Sequence, residues 1–399
     1  MRIDGDERRV VSLRAHLPVL ERCTYLNTGA AGPLPRAVSD AVAAMVGREL
    51  VEGRVYVGFA EEYATVQERA RSSIARALGA AADEITLTGG TGEGLNIVLH
   101  GFAWRPGDEI ITTTAEHESL LLPLAVLRER HGVVVRFASV GQGGQETVAA
   151  IAAEWSARTR LLAFSHVAYA TGVALPLERL VALAHERSVP ALVDGAQAFA
   201  ALPLDLPATG VDFYAVPAQK WLCGPAGAGA LYIRRAALAL LAHTFIGYSS
   251  VAAQGAADPY VAHPGARRFE VGTRYLPALA GLAAALDWWR SVVEPAWAYA
   301  RIQHLADRLI DELQAVPDVE VATPRARHAG LVSLRVGAIP PTIVARRLAH
   351  EDGILCRPIP GSPWVRFSTG WYTTRAEIDH AVRALSAMDK ARRMDYTRA

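Results

Sequence analysis

Pro190-Ala191-Leu192-Val193-Asp194-Gly195-Ala196-Gln197 is the stretch on which the fold turns: an unbroken apolar run that stops at a carboxylate and a glycine. Alternating polarity marks a strand with one wet face, whereas a continuous apolar run marks a strand covered on both. Similar runs occur upstream at Glu84–Thr88, Asp108–Thr113, Val133–Ala138 and Arg160–His166, and downstream at Phe213–Val216 and Gly229–Ile233. Among them lie Gly92–Phe102, Glu118–His131 and Pro176–Arg187, with apolar residues at helical spacing. Strand–helix alternation of this kind predicts an α/β domain around a mainly parallel seven-stranded sheet. Strand order is not readable, and an antiparallel course for the last strands stays open.

After Gly265 the character changes. Ala/Leu-rich helical stretches at Tyr275–Trp289 and Trp297–Val316 precede a shorter α/β pattern: strand Gly330–Val336, helix Thr342–Glu351, strand Trp364–Ser368 and helix Thr374–Met388. The expected organisation is an N-terminal segment (1–20) packing with the small domain, a large domain (21–289) and a smaller C-terminal α/β domain (290–399). Val251–Arg267, rich in Gly, Ala, His and Pro, reads as a long loop, a length that usually signals function or mobility.

Composition removes several function classes. The 399 residues carry 41 Lys+Arg against 40 Asp+Glu, a formal charge of +1, with no concentrated basic face to suggest nucleic acid. Half the residues are apolar (51%), enough for a sizeable core. Cys23, Cys223 and Cys356 cannot build a disulfide framework, so a reducing cytoplasm is expected. Met1–Arg14 has no signal-peptide apolar run, and Ala236–Ala242 and Tyr275–Leu286 fall short of the roughly 20 residues that span a bilayer. No membrane association is expected. HExxH, GxSxG and GxxxxGK[ST] are missing, and the histidines lack zinc spacing, so no metal is expected.

What remains is polar residues at strand ends, where open α/β sheets bind ligands. Gly89-Gly90-Thr91-Gly92-Glu93-Gly94 joins a strand to a helix, and its glycines let backbone N–H groups approach an anion. Asp194 ends an apolar strand, where a carboxylate is costly unless a cation or several donors meet it. Lys220, in Pro217-Ala218-Gln219-Lys220-Trp221, follows the next strand, and a lysine held in a cleft can form a Schiff base. Singly these read as a glycine-rich turn, a capping Asp and a solvated Lys. Jointly they are the parts that pyridoxal 5'-phosphate (PLP) requires: an anchor for its phosphate, an acid that keeps its ring nitrogen protonated and an amine for its aldehyde.

The segments Tyr25–Pro33, Gly90–Asn96, Ala115-Glu116-His117, Leu192–Gln197, Gln219-Lys220-Trp221 with Gly224-Pro225, Arg268–Thr273 and Val365-Arg366-Phe367-Ser368 occur in the order found in class V aminotransferase-fold enzymes. From Tyr25 to about Met388 the chain resembles that group, which includes cysteine desulfurases and isopenicillin N epimerase-like proteins. The resemblance implies PLP-dependent transferase fold type I with PLP as cofactor. It implies that Lys220 bonds the cofactor and shuttles the Cα proton, and that Asp194 pairs with the ring nitrogen. Gln197 would reach the O3′ side and His117 would stack on the ring. Thr91, the Gly92 backbone and Gln219 would hold the phosphate. Thr273 would cross to the phosphate of a partner subunit, implying a homodimer with shared active sites. Arg366 would clamp the α-carboxylate of an amino-acid substrate, with Asn27 beside it.

The departures concern the reaction. Desulfurases carry Ser-Gly-His-Lys where this chain has Pro217-Ala218-Gln219-Lys220, and Asn where it has Tyr169, a residue that contacts cofactor or substrate or simply packs. The stretch Ile354–Trp364 is short, and its thiol, Cys356, falls in a predicted strand rather than in a sulfur-accepting loop. The reading is therefore carbon–sulfur β-lysis of a cysteine-derived amino acid without a persulfide relay. Epimerisation and transamination are the alternatives.

Overall fold

A computed structural model describes residues 5–253 and 260–396. The middle of the expected 251–267 loop and the outermost ends of both terminal segments lie outside the described residues. Strands β1 (Ile85–Thr88), β2 (Glu109–Thr113), β3 (Val134–Ala138), β4 (Thr159–Ser165), β5 (Ala191–Asp194), β6 (Phe213–Pro217) and β7 (Gly229–Ile233) form one sheet, in the order β1-β7-β6-β5-β4-β2-β3. Each lies within one residue of its expected bounds. Strand β7 runs antiparallel to both neighbours and the other pairings are parallel.

Side chains alternate across the central strands. Leu162, Phe164, Val193 and Tyr214 enter the apolar cluster on one face, while Leu161, Ala163, Leu192 and Phe213 enter the cluster on the other. Both faces being covered explains why these strands read as continuous apolar runs. It also places the carboxyl ends of β1, β2, β4, β5 and β6 along one edge, where the chain leaves each strand for a polar loop.

A second sheet is antiparallel throughout. It comprises β8 (Val319–Val321), β9 (Leu331–Val336), β10 (Arg357–Pro358) and β11 (Val365–Ser368), in the order β8-β9-β11-β10. Its core joins Leu305, Leu309, Leu334, Phe367 and Leu385 with Leu26, from a segment at the start of the stretch expected to form the large domain. That segment is tied in by the backbone: Thr24 and Tyr25 pair in parallel with Ile354 and Leu355, and Asn27 bridges to Ser368. Further upstream, Arg14 donates two bonds of 3.0 Å to Glu377, and Arg301 pairs with Asp6.

Among the helices that escape the sequence reading are Arg36–Glu52, Phe59–Leu78 and Gln145–Ala153. The second buries Gln67 and Arg71 on its inner face, which blurs the apolar stripe that periodicity looks for. Arg71 is neutralised there by Glu270, with a bond from Nη1 of 2.5 Å and one from Nη2 of 3.1 Å. Cys356 belongs to no strand; it sits between the short strand Ile354–Leu355 and β10. No helix among the described residues is long and apolar enough to cross a membrane.

Candidate active site

A cavity of about 340 Å³ opens at the carboxyl edge of the large sheet. Its lining includes Thr91, Gly92, His117, Tyr169, Asp194, Gln197, Gln219, Lys220 and Arg366, brought together from six separate loops or strands. Asn27 is not among the lining residues; Gly29 and Ala30 from the same turn are. Thr273 lies outside the lining as well, with its hydroxyl bonded to that of exposed Tyr248.

Each element delivers its side chain for a local reason. Gly90, at φ 151°, lets the chain leave β1 and start helix Thr91–Gly101, whose first-turn N–H groups are free to meet an anion. His117 caps helix Glu118–His131, its Nδ1 accepting from the Ser119 N–H at 3.1 Å, which fixes the ring at the cavity wall. Tyr169 meets that ring edge-to-face, with centroids 4.8 Å apart. Gly195 allows the turn after β5, because a Cβ there would sit 2.0 Å from the Tyr214 ring. Behind Lys220, the Gly32 N–H donates to the Gln219 carbonyl at 2.7 Å, so the N-terminal turn braces the lysine loop.

The electrostatics follow from burial. Lys220 is pushed down to about 8 by desolvation, with Arg366 and Arg357 adding to the shift and Asp194 opposing it. Asp194 is pushed up by the same burial, against the pull of Lys220 and an Ala196 N–H bond of 2.8 Å. A cation arriving beside Asp194 would favour its ionised form. His117 is lowered by burial and then by Lys220, so its ring is neutral near neutral pH. Arg366 is lowered to about 10 by burial, then by the like charge of Arg357.

The residues fit PLP. Thr91 Oγ1 and Gln219 Oε1 are buried with no hydrogen-bond partner in the protein, at the end of the cavity where the helix N–H groups point. A phosphate brings the acceptor that the Thr91 hydroxyl lacks in that corner. Arg366 Nε is likewise buried and unpartnered, while its Nη1 donates to the Tyr169 carbonyl at 2.7 Å. Gln197 donates to the Gly29 carbonyl at 2.8 Å and accepts from Trp221 Nε1 at 3.0 Å, which holds its amide rigid and leaves one N–H spare.

The sequence reading assigned no role to four residues at or under this cavity. Arg357 lines it, opposite Arg366 across β10 and β11. Ser165 ends β4 and lines it too, and Glu116 lies beneath, bonded to Ser165. His166 is buried alongside, lowered to about 4 by desolvation and bonded to Tyr214 Oη at 2.8 Å. The argument applied to Asp194, an acid just beyond an apolar strand, applies equally to Glu116. Nothing in the sequence marks Arg357, whose place depends on strand register.

Residues 24–384 match the family described as Aminotransferase class-V. The cysteine desulfurase of Salmonella newport (strain SL254) is 29% identical over 404 residues, covering 96% of this chain and 98% of that protein. Among solved structures, a lysine-to-alanine variant of C-DES with glycine covalently linked to its PLP cofactor is similar at TM-score 0.89 and 31% identity, covering 94% of this chain and 98% of that chain. The complex of the cystine C–S lyase C-DES with its reaction product, cysteine persulfide, is similar at TM-score 0.88 and 31% identity, covering 93% and 99%. The architecture described above is PLP-dependent transferase fold type I. A match that runs through nearly every element, together with a cavity whose unpartnered groups suit the coenzyme, has one reading: the chain belongs to the class V aminotransferase family of PLP-dependent enzymes.

Proposed function

We propose that this enzyme cleaves the carbon–sulfur bond of a cysteine-derived amino acid by β-elimination. One observation carries the reading: Lys220, Asp194 and Arg366 share a cavity whose lining contains no thiol. Cys356 is pushed up to about 12 by burial, and buried Cys223 and half-buried Cys23 are raised as well, so none is a ready thiolate to accept sulfur. Elimination needs no such group, because sulfur departs with its own electron pair. The likeness to a protein described as a cystine C–S lyase supports the same choice.

The chemistry that PLP supplies when bound is electron withdrawal from the substrate Cα. This chain's residues do the rest. Thr91 Oγ1, the Gly92 N–H and Gln219 hold the phosphate; Asp194 holds a proton at the ring nitrogen; Gln197 uses its spare N–H toward O3′; His117 covers one ring face. Arg366 grips the α-carboxylate, a bidentate task suited to guanidinium, and so orients the Cα–H bond toward Lys220. Lys220 Nζ takes that proton as the Cβ–S electron pair leaves with sulfur. Arg357 stands ready for a second anionic group, which favours a substrate such as cystine, and Tyr169 walls the substrate side beside His117. Asn27 supports this region from the turn behind Gly29.

Thr273 belongs to the same proposal as the residue that reaches a second copy's phosphate site. Tyr248 bonds it, and exposed Phe245, Ile246, Val271 and Tyr275 lie close to that pair in sequence, apolar side chains suited to a homodimer contact. Sedimentation giving a monomer at working concentration would refute that part. The three free thiols suit a cytoplasmic setting. Within the proposed division into segments 1–20, 21–289 and 290–399, the Arg14–Glu377 and Arg301–Asp6 pairs support the packing of the first segment on the third.

Turnover of cystine, cysteine and other amino acids in D₂O tests the reaction. Pyruvate with a released sulfur product supports lysis. Cα deuteration without net product would instead mean epimerisation, and accumulated pyridoxamine phosphate would mean transamination.

A further inference from the structure

Directly beneath the cavity floor, Glu116 is buried, and both of its carboxyl oxygens are occupied. Oε1 accepts from Thr113 Oγ1, at the end of β2, and Oε2 accepts from Ser165 Oγ, at the end of β4, at 2.5 Å. Ser165 is the direct register partner of Asp194 on β5, so the residue that bonds Glu116 is also the strand neighbour of Asp194. No apolar necessity puts a second carboxyl here, and the reaction described above does not use it.

The two hydroxyls differ in what they can do. Thr113 Oγ1 already accepts from the Ala115 N–H at 3.2 Å and is sealed from solvent. Were Glu116 to donate a proton to it, the threonine's own hydrogen would have nowhere to go, at a cost comparable to a buried unsatisfied group. Ser165 lines the cavity, so its hydrogen can swing there. A proton arriving at Glu116 therefore has one inexpensive arrangement: the acid donates to Ser165, and Ser165 turns from Glu116 to donate into the cavity.

We propose that Glu116 and Ser165 form a proton-controlled hydrogen-bond switch that positions a donor or an acceptor beside Asp194 and so sets how the cofactor's ring end responds to pH. Glu116 is a positioning residue, acting through Ser165. The inference rests on PLP occupying the cavity and not on which bond is broken. Burial raises Glu116 to about 7, within the range where such a switch would operate. The charged group facing Glu116 is Asp194, from β5, which adds to that rise. Lys220, after β6, and His117, at the helix start after β2, face Asp194 from the cavity side.

The test is a pH titration of the visible absorption of PLP-loaded enzyme, for the wild type, Glu116→Gln and Ser165→Ala. The wild type should show an inflection near neutrality besides that of the lysine-linked cofactor. Glu116→Gln, whose amide always presents a donor to Ser165, should lose it, and so should Ser165→Ala, which leaves the acid in place but cuts the link. Variants that bind PLP and superimpose on the wild-type curve overturn the proposal, as does a lowered melting temperature with an unchanged curve, which is the mark of packing alone. If Glu116→Gln does not fold, the Ser165→Ala curve decides by the same criterion. Absent visible absorption in the wild type would instead refute PLP binding, so the two failures are distinguishable.

Discussion

Arg357 and Arg366 stand directly opposite each other on adjacent antiparallel strands, and both border the cavity that holds Lys220. Directly opposed residues share a face of the sheet, and two like charges there repel unless anions lie between them. Arg366 is almost wholly buried, so it depends on a ligand for part of its hydrogen bonding.

Arg366→Ala is therefore expected to raise KM for amino-acid substrates by about 10- to 100-fold, matching a charge-assisted hydrogen bond of roughly 1.5–3 kcal/mol. Visible absorption of bound PLP should persist. Arg357→Ala should penalise cystine more than a singly anionic S-alkyl cysteine. Steady-state kinetics on both substrates check this, and equal loss of PLP and substrate binding would make the arginines merely structural.

Lys220→Ala is expected to abolish turnover and the visible band of the lysine-linked cofactor. In the wild type, recapture of PLP by stripped protein needs the neutral amine. With Lys220 lowered to about 8, the recapture rate should climb about tenfold per pH unit below that value and level off above it. A rate flat across this range would show that the amine is not the attacking group.

Gly32→Ala should reach the site from a distance. A Cβ at Gly32 would lie 2.3 Å from the Lys220 carbonyl oxygen and 2.7 Å from Cys223 Sγ. Backbone has to shift, at a cost of about 1–3 kcal/mol, the usual range for overpacking. Thermal melting should drop, and Lys220 should recapture PLP more slowly. A variant with wild-type melting and recapture would show that the turn does not brace the lysine.

Glu109 governs acid stability away from the site. Its buried carboxylate is bonded to Arg136 at 2.7 Å, Ser156 at 2.6 Å and Arg158 at 2.9 Å, and the Arg136 bond chiefly holds it down at about 2. Because the folded value lies below the ordinary one, its contribution is present above about pH 4.5 and fades as pH falls toward 2. Discounted for the partly exposed arginines, that is roughly 2–3 kcal/mol at neutral pH. Glu109→Gln should lose it and flatten the acid limb of a stability-against-pH curve; an unchanged limb would count against the ion-pair account.

Much of this was legible without coordinates because double coverage writes itself into composition: strands buried on both faces must be apolar end to end, and the polar residues that interrupt them fall at the ligand edge. Lys220, Asp194 and the Gly89–Gly94 loop that carries Thr91 were found that way, whereas His117 came only from the family resemblance. Helix Phe59–Leu78 was not, since an inward Arg71 paired with Glu270 looks polar until its distant partner is known. Glu116 sat in plain view beside His117, yet its burial and its bond to Ser165 depend on strands far apart in the chain.

Local order alone, then, determined the alternation of strands and helices and the identity of the residues at strand ends, because burial and capping act over a few neighbouring residues. Tertiary structure decided strand order, the antiparallel β7, the confrontation of Arg357 with Arg366 and the Glu116–Ser165–Asp194 row. Those relations arise from register between segments separated by tens of residues, and no short-range preference encodes which segments meet.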